Sequence, residues 1–492
     1  MLTWRALILT GVLGALACER GPREGQAASS SDESAASLSA AEQEAAGRAA
    51  EEQARIDAEY PSHALVTGVQ LPVRAAPEPN ATVIGWLRLG ARVRVKTEGT
   101  PSPRCATGWH AVNPTGYACA GQGLEIGSEP PEADASAVAA DREAPLPYEY
   151  LKVKEDLVPE YHNPPTRDEH TEVMAWAARY LALRARSPEQ AERMRSATRG
   201  TDAPPARVAR FLDRGVIVAM AGIVRREERR YARTVTGRYI LRVQLHRKDG
   251  STFHGVEVNA ERPLPIPWAR QDIRPRERLP DLRDEDRRSG DWRFFRDAEA
   301  EIIPAGTIVG SWQRREWFDG NVMHVLDGDR FARAWYIGVA ELAEPPFEVA
   351  ADEPWVHVDL GEQTLTLYRG SEPVYSSLVS SGDPAHPTPR GIFRIQRKMI
   401  TSTMSNLGGD VDSDRYRIED VPYTQYFEQG IALHAAFWHE RFGQLVSHGC
   451  VNLSPVDAQR VFEFTWPEIP AGWHGVVTHQ TAFRSSRVWV TD

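Results

Sequence analysis

Ser447-His448-Gly449-Cys450-Val451-Asn452-Leu453-Ser454-Pro455 sets an imidazole and a thiol two residues apart around a glycine. In an extended chain, residues i and i+2 project to one face. The stretch therefore predicts His448 and Cys450 side by side, with Gly449 permitting close backbone approach. Acyl transfer by a thiol needs a thiolate and an adjacent base to generate it. Ser454-Pro455-Val456-Asp457 reads as a helix start, with Ser at the N-cap, Pro at N1 and a carboxylate at N3. The helix should continue through Ala458, Val461, Phe462 and Phe464, and its positive end is expected to help depress the Cys450 pKa.

Upstream, Trp355-Val356-His357-Val358-Asp359-Leu360 alternates, and Gln363–Tyr368 follows a Gly361-Glu362 turn, which predicts a hairpin. Val374–Ser380 and Gly391–Ile395 read as further strands. This part of the chain is β-dominated.

The whole chain, 492 residues at a net charge of −10, is too long for one core and carries no electrostatic footprint for nucleic acid. Arg5 precedes an apolar run, Ala6–Ala17, too short to span a bilayer and suited to a signal-peptide core. Its ending, Leu13-Gly14-Ala15-Leu16-Ala17-Cys18, resembles a bacterial lipobox. An ordinary signal peptide cleaved nearby is the alternative, and both readings export the chain. In Gram-negative lipoproteins an Asp after the lipidated Cys directs inner-membrane retention, so Glu19 points to the periplasmic face of the outer membrane. Of the four cysteines, Cys105 and Cys119 lie in one compact segment and can form a disulfide, which an exported compartment permits. Cys450 is left unpaired.

Residues 18–62 are rich in Ala, Ser, Glu and Gln and read as a tether, disordered or partly helical over Ala40–Tyr60. From 63 to 128 come short β-like runs with turn signals. "LPVRAAPEPNATVIGWL" (Leu71–Leu87), "GWHAV" (Gly108–Val112) and "GYACA" (Gly116–Ala120) resemble a bacterial SH3 domain, which implies a small β-barrel that either binds cell-wall peptides or serves as a spacer. A linker spans 129–147. The middle region, 148–350, reads as α+β: an amphipathic helix over Glu169–Ser187, then strands at Val216–Val224 and Tyr231–Leu245. "RRYARTVTGRYILRVQL" (Arg229–Leu245) faintly echoes "DRFARAWYIGVAEL" (Asp329–Leu342), as a degenerate barrel repeat would. Arg270–Arg288 reads as an exposed loop.

The segment "HAAFWHERFGQLVSHGCVNLS" (His434–Ser454) resembles the signature of the L,D-transpeptidase (YkuD-like) domain. "WVHVDLGEQTLTLYRG" (Trp355–Gly370) and "SSGDPAHPTPRGIFRI" (Ser380–Ile395) are similar to the family's opening hairpin and glycine-proline turn. The resemblance implies a β-sandwich catalytic domain over 351–480, followed by a tail at 481–492. The chain as a whole is then mainly β and multidomain. It also implies Cys450 as nucleophile and His448 as base, with the Ser447 or Gly449 carbonyl as third member. His434 would contact substrate or oxyanion, Gly449 and Cys450 N–H groups would donate to the oxyanion, and Tyr426 would be a lid aromatic. Asn452 either takes part in the site or only fixes the loop. His434, His448 and Cys450 are zinc-ligand types, but no second Cys or close His pair supports a metal site, so neither metal nor cofactor is expected.

The implied reaction is acyl transfer on a peptidoglycan tetrapeptide stem through a Cys450 thioester, giving 3→3 cross-links, with acylation by carbapenems. Other acceptors (a protein lysine, a free D-amino acid, water) and a non-enzymatic wall-binding lipoprotein are the rival readings. If Cys18 is lipidated, metabolic labelling with a palmitate analogue should mark the wild-type chain and miss Cys18→Ala; equal labelling of both would contradict the lipobox.

Overall fold

The computed structural model describes residues 30–132, 138–277, 295–296, 301–318, 321–406, 416–479 and 481–492. The leader and Cys18 lie outside these residues. Helix α1 (Ser30–Glu59) forms a unit by itself, in keeping with its Ala- and Glu-rich sequence.

Tyr60–Asp492 is a second compact unit. Its first strands are β1 (Ser62–Val66), β2 (Gln70–Arg74), β3 (Val83–Arg88), β4 (Arg92–Ser102), β5 (Cys105–Val112), β6 (Tyr117–Cys119) and β7 (Leu124–Gly127). They pair antiparallel in the order β7-β1-β4-β5-β6-β2-β3. Cys105 and Cys119 are disulfide-bonded across β5 and β6.

A second set comprises β8 (Glu149–Val153), β9 (Val158–Tyr161), α2 (Arg167–Arg186), α3 (Pro188–Ser196), β10 (Val208–Leu212), β11 (Ile217–Arg226), β12 (Arg229–Thr234), β13 (Tyr239–Leu241) and β14 (Leu245–Lys248). Helix α2 starts in a capping box, with Thr166 and Glu169 satisfying each other's backbone N–H groups. It buries Val173, Trp176, Ala177 and Tyr180. After β15 (Val256–Glu257), a third set holds β16 (Ile266–Ala269), β17 (Arg276–Glu277), β18 (Phe295–Arg296), β19 (Trp312–Phe318), β20 (Asn321–Leu326), β21 (Arg330–Arg333) and β22 (Ile337–Ala340).

The internal echo has a structural counterpart. In both sets a strand, one turn of 3-10 helix (Arg242–Gln244 or Ala334–Tyr336) and a second strand follow without a break. That second strand then pairs with the strand that opened its own set, β14 with β8 and β22 with β16. The stretch starting at Arg270 is not an exposed loop at its beginning. Ile273 is fully buried, and Arg270 Nε donates to the Gly443 carbonyl at 2.6 Å.

The C-terminal strands are β23 (Pro354–Asp359), β24 (Thr364–Arg369), β25 (Glu372–Leu378), β26 (Gly391–Arg394), β27 (Arg397–Ser405), β28 (Arg417–Glu428), β29 (Ile431–Ala435), β30 (Val451–Leu453), β31 (Gly475–Val477) and β32 (Arg487–Thr491), with α4 (Pro455–Phe464) between β30 and β31. They build two sheets. One runs β15-β25-β24-β23-β32-β26; the other runs β31-β27-β28-β29-β30. Val356, Val358, Leu365, Leu367, Leu433, Val451 and Val488 share the core of this part of the chain. Both faces of β23 are covered. Trp355 stacks on Tyr368 with ring centroids 4.2 Å apart, and Phe347 packs edge-on against Trp355 and Trp489.

The other strand sets join the two C-terminal sheets through backbone pairing. Strand β3 pairs with β31 at Trp86 and Gly475, β11 with β28 at Ile217 and Ile418, and β15 with β25 at Val256 and Ser376. Tyr150 on β8 packs its ring 4.2 Å from that of Phe437 and donates its hydroxyl to the Asp420 carbonyl at 2.6 Å.

One buried carboxylate ties several of these parts together. Asp457, in the first turn of α4, is wholly buried and accepts from Tyr375 Oη (2.6 Å), Ser377 Oγ (2.6 Å) and the Gly255 N–H (2.8 Å). Burial raises its pKa, and the donors oppose that rise. Asp457→Ala would leave three donors buried without a partner. Each such group costs about 1–3 kcal/mol, so urea unfolding should show a loss of at least ~3 kcal/mol. An unchanged midpoint would show that the site repacks around the loss.

Candidate active site

Cys450 stands where the chain enters β30, at the end of a bend that is not extended. Gly449 has φ +101°, and a Cβ there would fall 2.7 Å from Ile431 Cδ1, so glycine is required on both counts. This corrects the expectation that extended backbone aligns His448 with Cys450. Ser447 staples the bend: its Oγ accepts the Gly449 N–H at 3.1 Å and donates to the Cys450 carbonyl. The Gly449 N–H is thereby spent, and the expected oxyanion role for it does not hold.

Strands β29 and β30 run parallel, with Leu433 opposite Val451, His434 opposite Asn452 and Ala435 opposite Leu453. Side chains alternate along a strand, so one step back from Val451 puts Cys450 on the face that carries Asn452 and His434. All three line a pocket of about 300 Å³, together with Tyr416, Trp438 and His448.

His434 is buried, and its Nδ1 lies 3.1 Å from the Ala435 carbonyl. A carbonyl only accepts, so Nδ1 carries the proton and Nε2 keeps its lone pair. Burial pushes the imidazole down to about 4, against the pull of that carbonyl, so it is neutral at physiological pH. Trp438 stacks over it with ring centroids 5.7 Å apart. Asn452 exchanges backbone hydrogen bonds with Ser380 (2.8 and 2.9 Å), and its side-chain amide lies 3.0 Å from His439 Nε2. Burial, then Arg441, lowers His439 to about 4.

His448 is arranged differently. It is exposed, and its ring packs against those of His386 (4.5 Å) and Tyr416 (5.6 Å). Neither carbonyl expected to support it does so among the described residues. The Ser447 carbonyl accepts from the Asp383 N–H at 2.9 Å, and the Gly449 carbonyl accepts from Thr388 Oγ1 at 2.8 Å. His386 in turn has its Nδ1 3.1 Å from Asp383 Oδ1.

The thiol is not an activated thiolate in the resting site. Burial pushes Cys450 up to about 11, opposed by a hydrogen bond from the Ala432 backbone, and Sγ lies 3.9 Å from the Gly430 carbonyl. The depression expected from α4 is not seen, since burial shifts Cys450 upward; in the first turn of α4, Ser454 Oγ accepts from the Asp457 N–H at 3.1 Å.

Tyr426 is not at this site. It lines a separate cleft, where Arg397 sits 4.0 Å over its ring and Ser402 Oγ lies 2.9 Å from its hydroxyl. The tyrosine that does reach this pocket is Tyr416. Sequence reasoning also missed Trp438, although it stands within the quoted segment, and Asp383 and His386, whose i,i+3 spacing lies in the glycine-proline turn. Lys152, Gly215 and Ile217 line the pocket too; no local signal in the middle region announces them.

Residues 353–472 match the family described as the YkuD L,D-transpeptidase catalytic domain, and this part of the chain is a domain of that class. Among relatives, L,D-transpeptidase 1 of Mycobacterium tuberculosis is 32% identical over 132 residues, which are 26% of this chain and 52% of that protein. The chain thus spans about half the length of the curated relative it matches. A solved L,D-transpeptidase from Mycobacterium smegmatis is 24% identical, covering 38% of this chain and 81% of its own, with a TM-score of 0.24. The structure of an L,D-transpeptidase in complex with imipenem is 25% identical, covering 37% and 79%, also with a TM-score of 0.24.

A direct measure of the resting thiol is its titration. Absorbance of the Cys450 thiolate near 240 nm, corrected with Cys450→Ser, should rise with a midpoint near 11. A midpoint near the ordinary ~8.5 would contradict a thiol held neutral by its surroundings.

Proposed function

We propose that this protein is a peptidoglycan L,D-transpeptidase that works through a Cys450 thioester, with His434 rather than His448 as the general base. The observation that carries this is the His434 arrangement: Nδ1 tied to the Ala435 carbonyl, Nε2 unprotonated, on the same face as Cys450. A base needs a fixed tautomer and a free lone pair, and His434 has both.

Because thiol and imidazole rest neutral, the proton moves as the bond forms. Cys450 Sγ attacks the carbonyl of the L-centre residue at position three of a tetrapeptide stem while His434 Nε2 takes the thiol proton. The Cys450 N–H remains as a donor to the oxyanion. Collapse breaks the C–N bond, and the imidazolium returns its proton to the departing D-alanine amine. An acceptor amine then attacks the thioester, His434 takes its proton and passes it to the released sulfur, and the thiol is restored. When the acceptor is a neighbouring stem's diamino acid, the product is a 3→3 cross-link; a protein amine, a D-amino acid or water would use the same thioester. Export and lipidation at Cys18 would place the enzyme on the periplasmic face of the outer membrane. The SH3-like resemblance of residues 63–128 adds a wall-facing module.

The test uses a carbapenem, whose strained lactam carbonyl stands in for the scissile amide. One equivalent of mass should add to the full chain on the Cys450 peptide, and Cys450→Ser should lose it. His434→Ala should slow acylation by about 10²–10⁴-fold, and His448→Ala by much less. The reverse order would return the base role to His448. Since the base must be neutral and His434 is held near 4, the rate should stay level down to about pH 5 and fall as pH drops through about 4. A limb near pH 6.5 would mean that an unperturbed histidine is the base.

A further inference from the structure

The catalytic pocket has a wall that the family-matched segment does not supply. Lys152 on β8, Gly215 in the turn before β11 and Ile217 at the start of β11 line it, all well upstream of residue 353. Their position is fixed rather than incidental. Ile217 lies between Lys152 on β8 and Ile418 on β28, paired in backbone register with both. Tyr150 projects from β8 on the same side as Lys152, two residues away, and is clamped by Phe437 and the Asp420 carbonyl. The Lys152 stem runs over the Gly215 backbone, its Cε 3.9 Å from where a Gly215 Cβ would stand.

The charge this brings is unopposed in the pocket. Among the described lining residues there is no Asp or Glu, His434 is neutral, and Cys450 is a protonated thiol. Lys152 is thus the one lining side chain with a fixed charge, set in a largely apolar cavity with Ile217, Met404, Ile418 and Trp438. A cation held by packed strands beside a largely apolar cavity favours an anionic ligand group, and a hydrogen-bonded ammonium–carboxylate pair is about twice as strong as a neutral one.

We propose that Lys152 forms a carboxylate-binding subsite, through which the second strand set selects donor peptides that end in a free carboxylate. This rests on the acyl-donor reading above: in a tetrapeptide stem, the residue that leaves carries the terminal carboxylate next to the scissile amide. Lys152 is a specificity residue here, and Cys450 and His434 do the chemistry.

The test separates binding from turnover. In the full chain carrying Cys450→Ala, calorimetry would compare a tetrapeptide stem ending in D-alanine with the same peptide ending in D-alaninamide. The free acid should bind at least about tenfold more tightly at low salt. Lys152→Met should abolish that preference by weakening the acid alone, Lys152→Arg should keep most of it, and added salt should erode it. Equal affinity for the two peptides, a preference that survives in Lys152→Met, or no binding of either would overturn the subsite. D-Alanine release by the wild-type chain is scored separately. Binding that follows Lys152 without release would sink the transpeptidase reading and leave the subsite standing.

Discussion

The constraint on which most of the molecule leans is the buried carboxylate of Asp457. It lies at the start of α4, four residues after β30, and it gathers donors from β25 and from the segment leading into β15. A charge or proton held so far from water is tolerable only when every lone pair is occupied, and the geometry of its partners is therefore over-determined. Whatever fixes the start of α4 also fixes the end of β30, and so the position of Cys450. The same strand is held from the side by Ser380, which exchanges backbone hydrogen bonds with Asn452. Cys450 thus stands at the head of a strand secured at one end by a carboxylate and along one edge by a backbone bridge.

That anchoring places the thiol in an environment where ionisation is unfavourable. Burial moves Cys450 upward and His434 and His439 downward, so the resting groups are all uncharged. Charge would then appear only as an acyl donor is attacked, where fixed donors act most strongly in a site with little water. The short bend before Cys450 serves the same end. Ser447 and Thr388 occupy the Gly449 N–H and carbonyl, leaving a rigid turn rather than a mobile one.

The accessory strand sets are structural parts of this arrangement. Backbone ladders join β3 to β31, β11 to β28 and β15 to β25, and the apolar residues of the first set run continuously into the catalytic core. Trp473 shows why they cannot be lifted away cheaply: it is almost wholly buried, and its Nε1 donates to the Asn113 carbonyl of the first set at 2.8 Å. The middle region, which as sequence offered only strands, a helix and a faint repeat, contributes a wall of the catalytic pocket.

Local chemistry was legible from the chain alone. The Ser-His-Gly-Cys block announced a histidine and a cysteine close together, Ser454-Pro455-x-Asp457 announced a helix start, and alternation around Trp355 announced a hairpin, because each depends on neighbours a few residues apart. The echo between Arg229–Leu245 and Asp329–Leu342 was legible for the same reason, as one strand–turn–strand unit written twice. What the sequence could not assign was which histidine is buried in the pocket with its tautomer fixed. His434 and His448 carry the same side chain; they differ in that one is buried against its own strand's carbonyl and the other is exposed on a glycine bend between the rings of His386 and Tyr416. Tyr426 and Tyr416 were ambiguous in the same way, since which cleft each faces depends on how β28 packs between two accessory sets. Lys152 gave no sign at all, standing about 300 residues from Cys450. Residue type and spacing determine what chemistry a segment can perform, but burial, and the meeting of strands distant in the chain, are properties of the packed molecule and decide which of the candidates performs it.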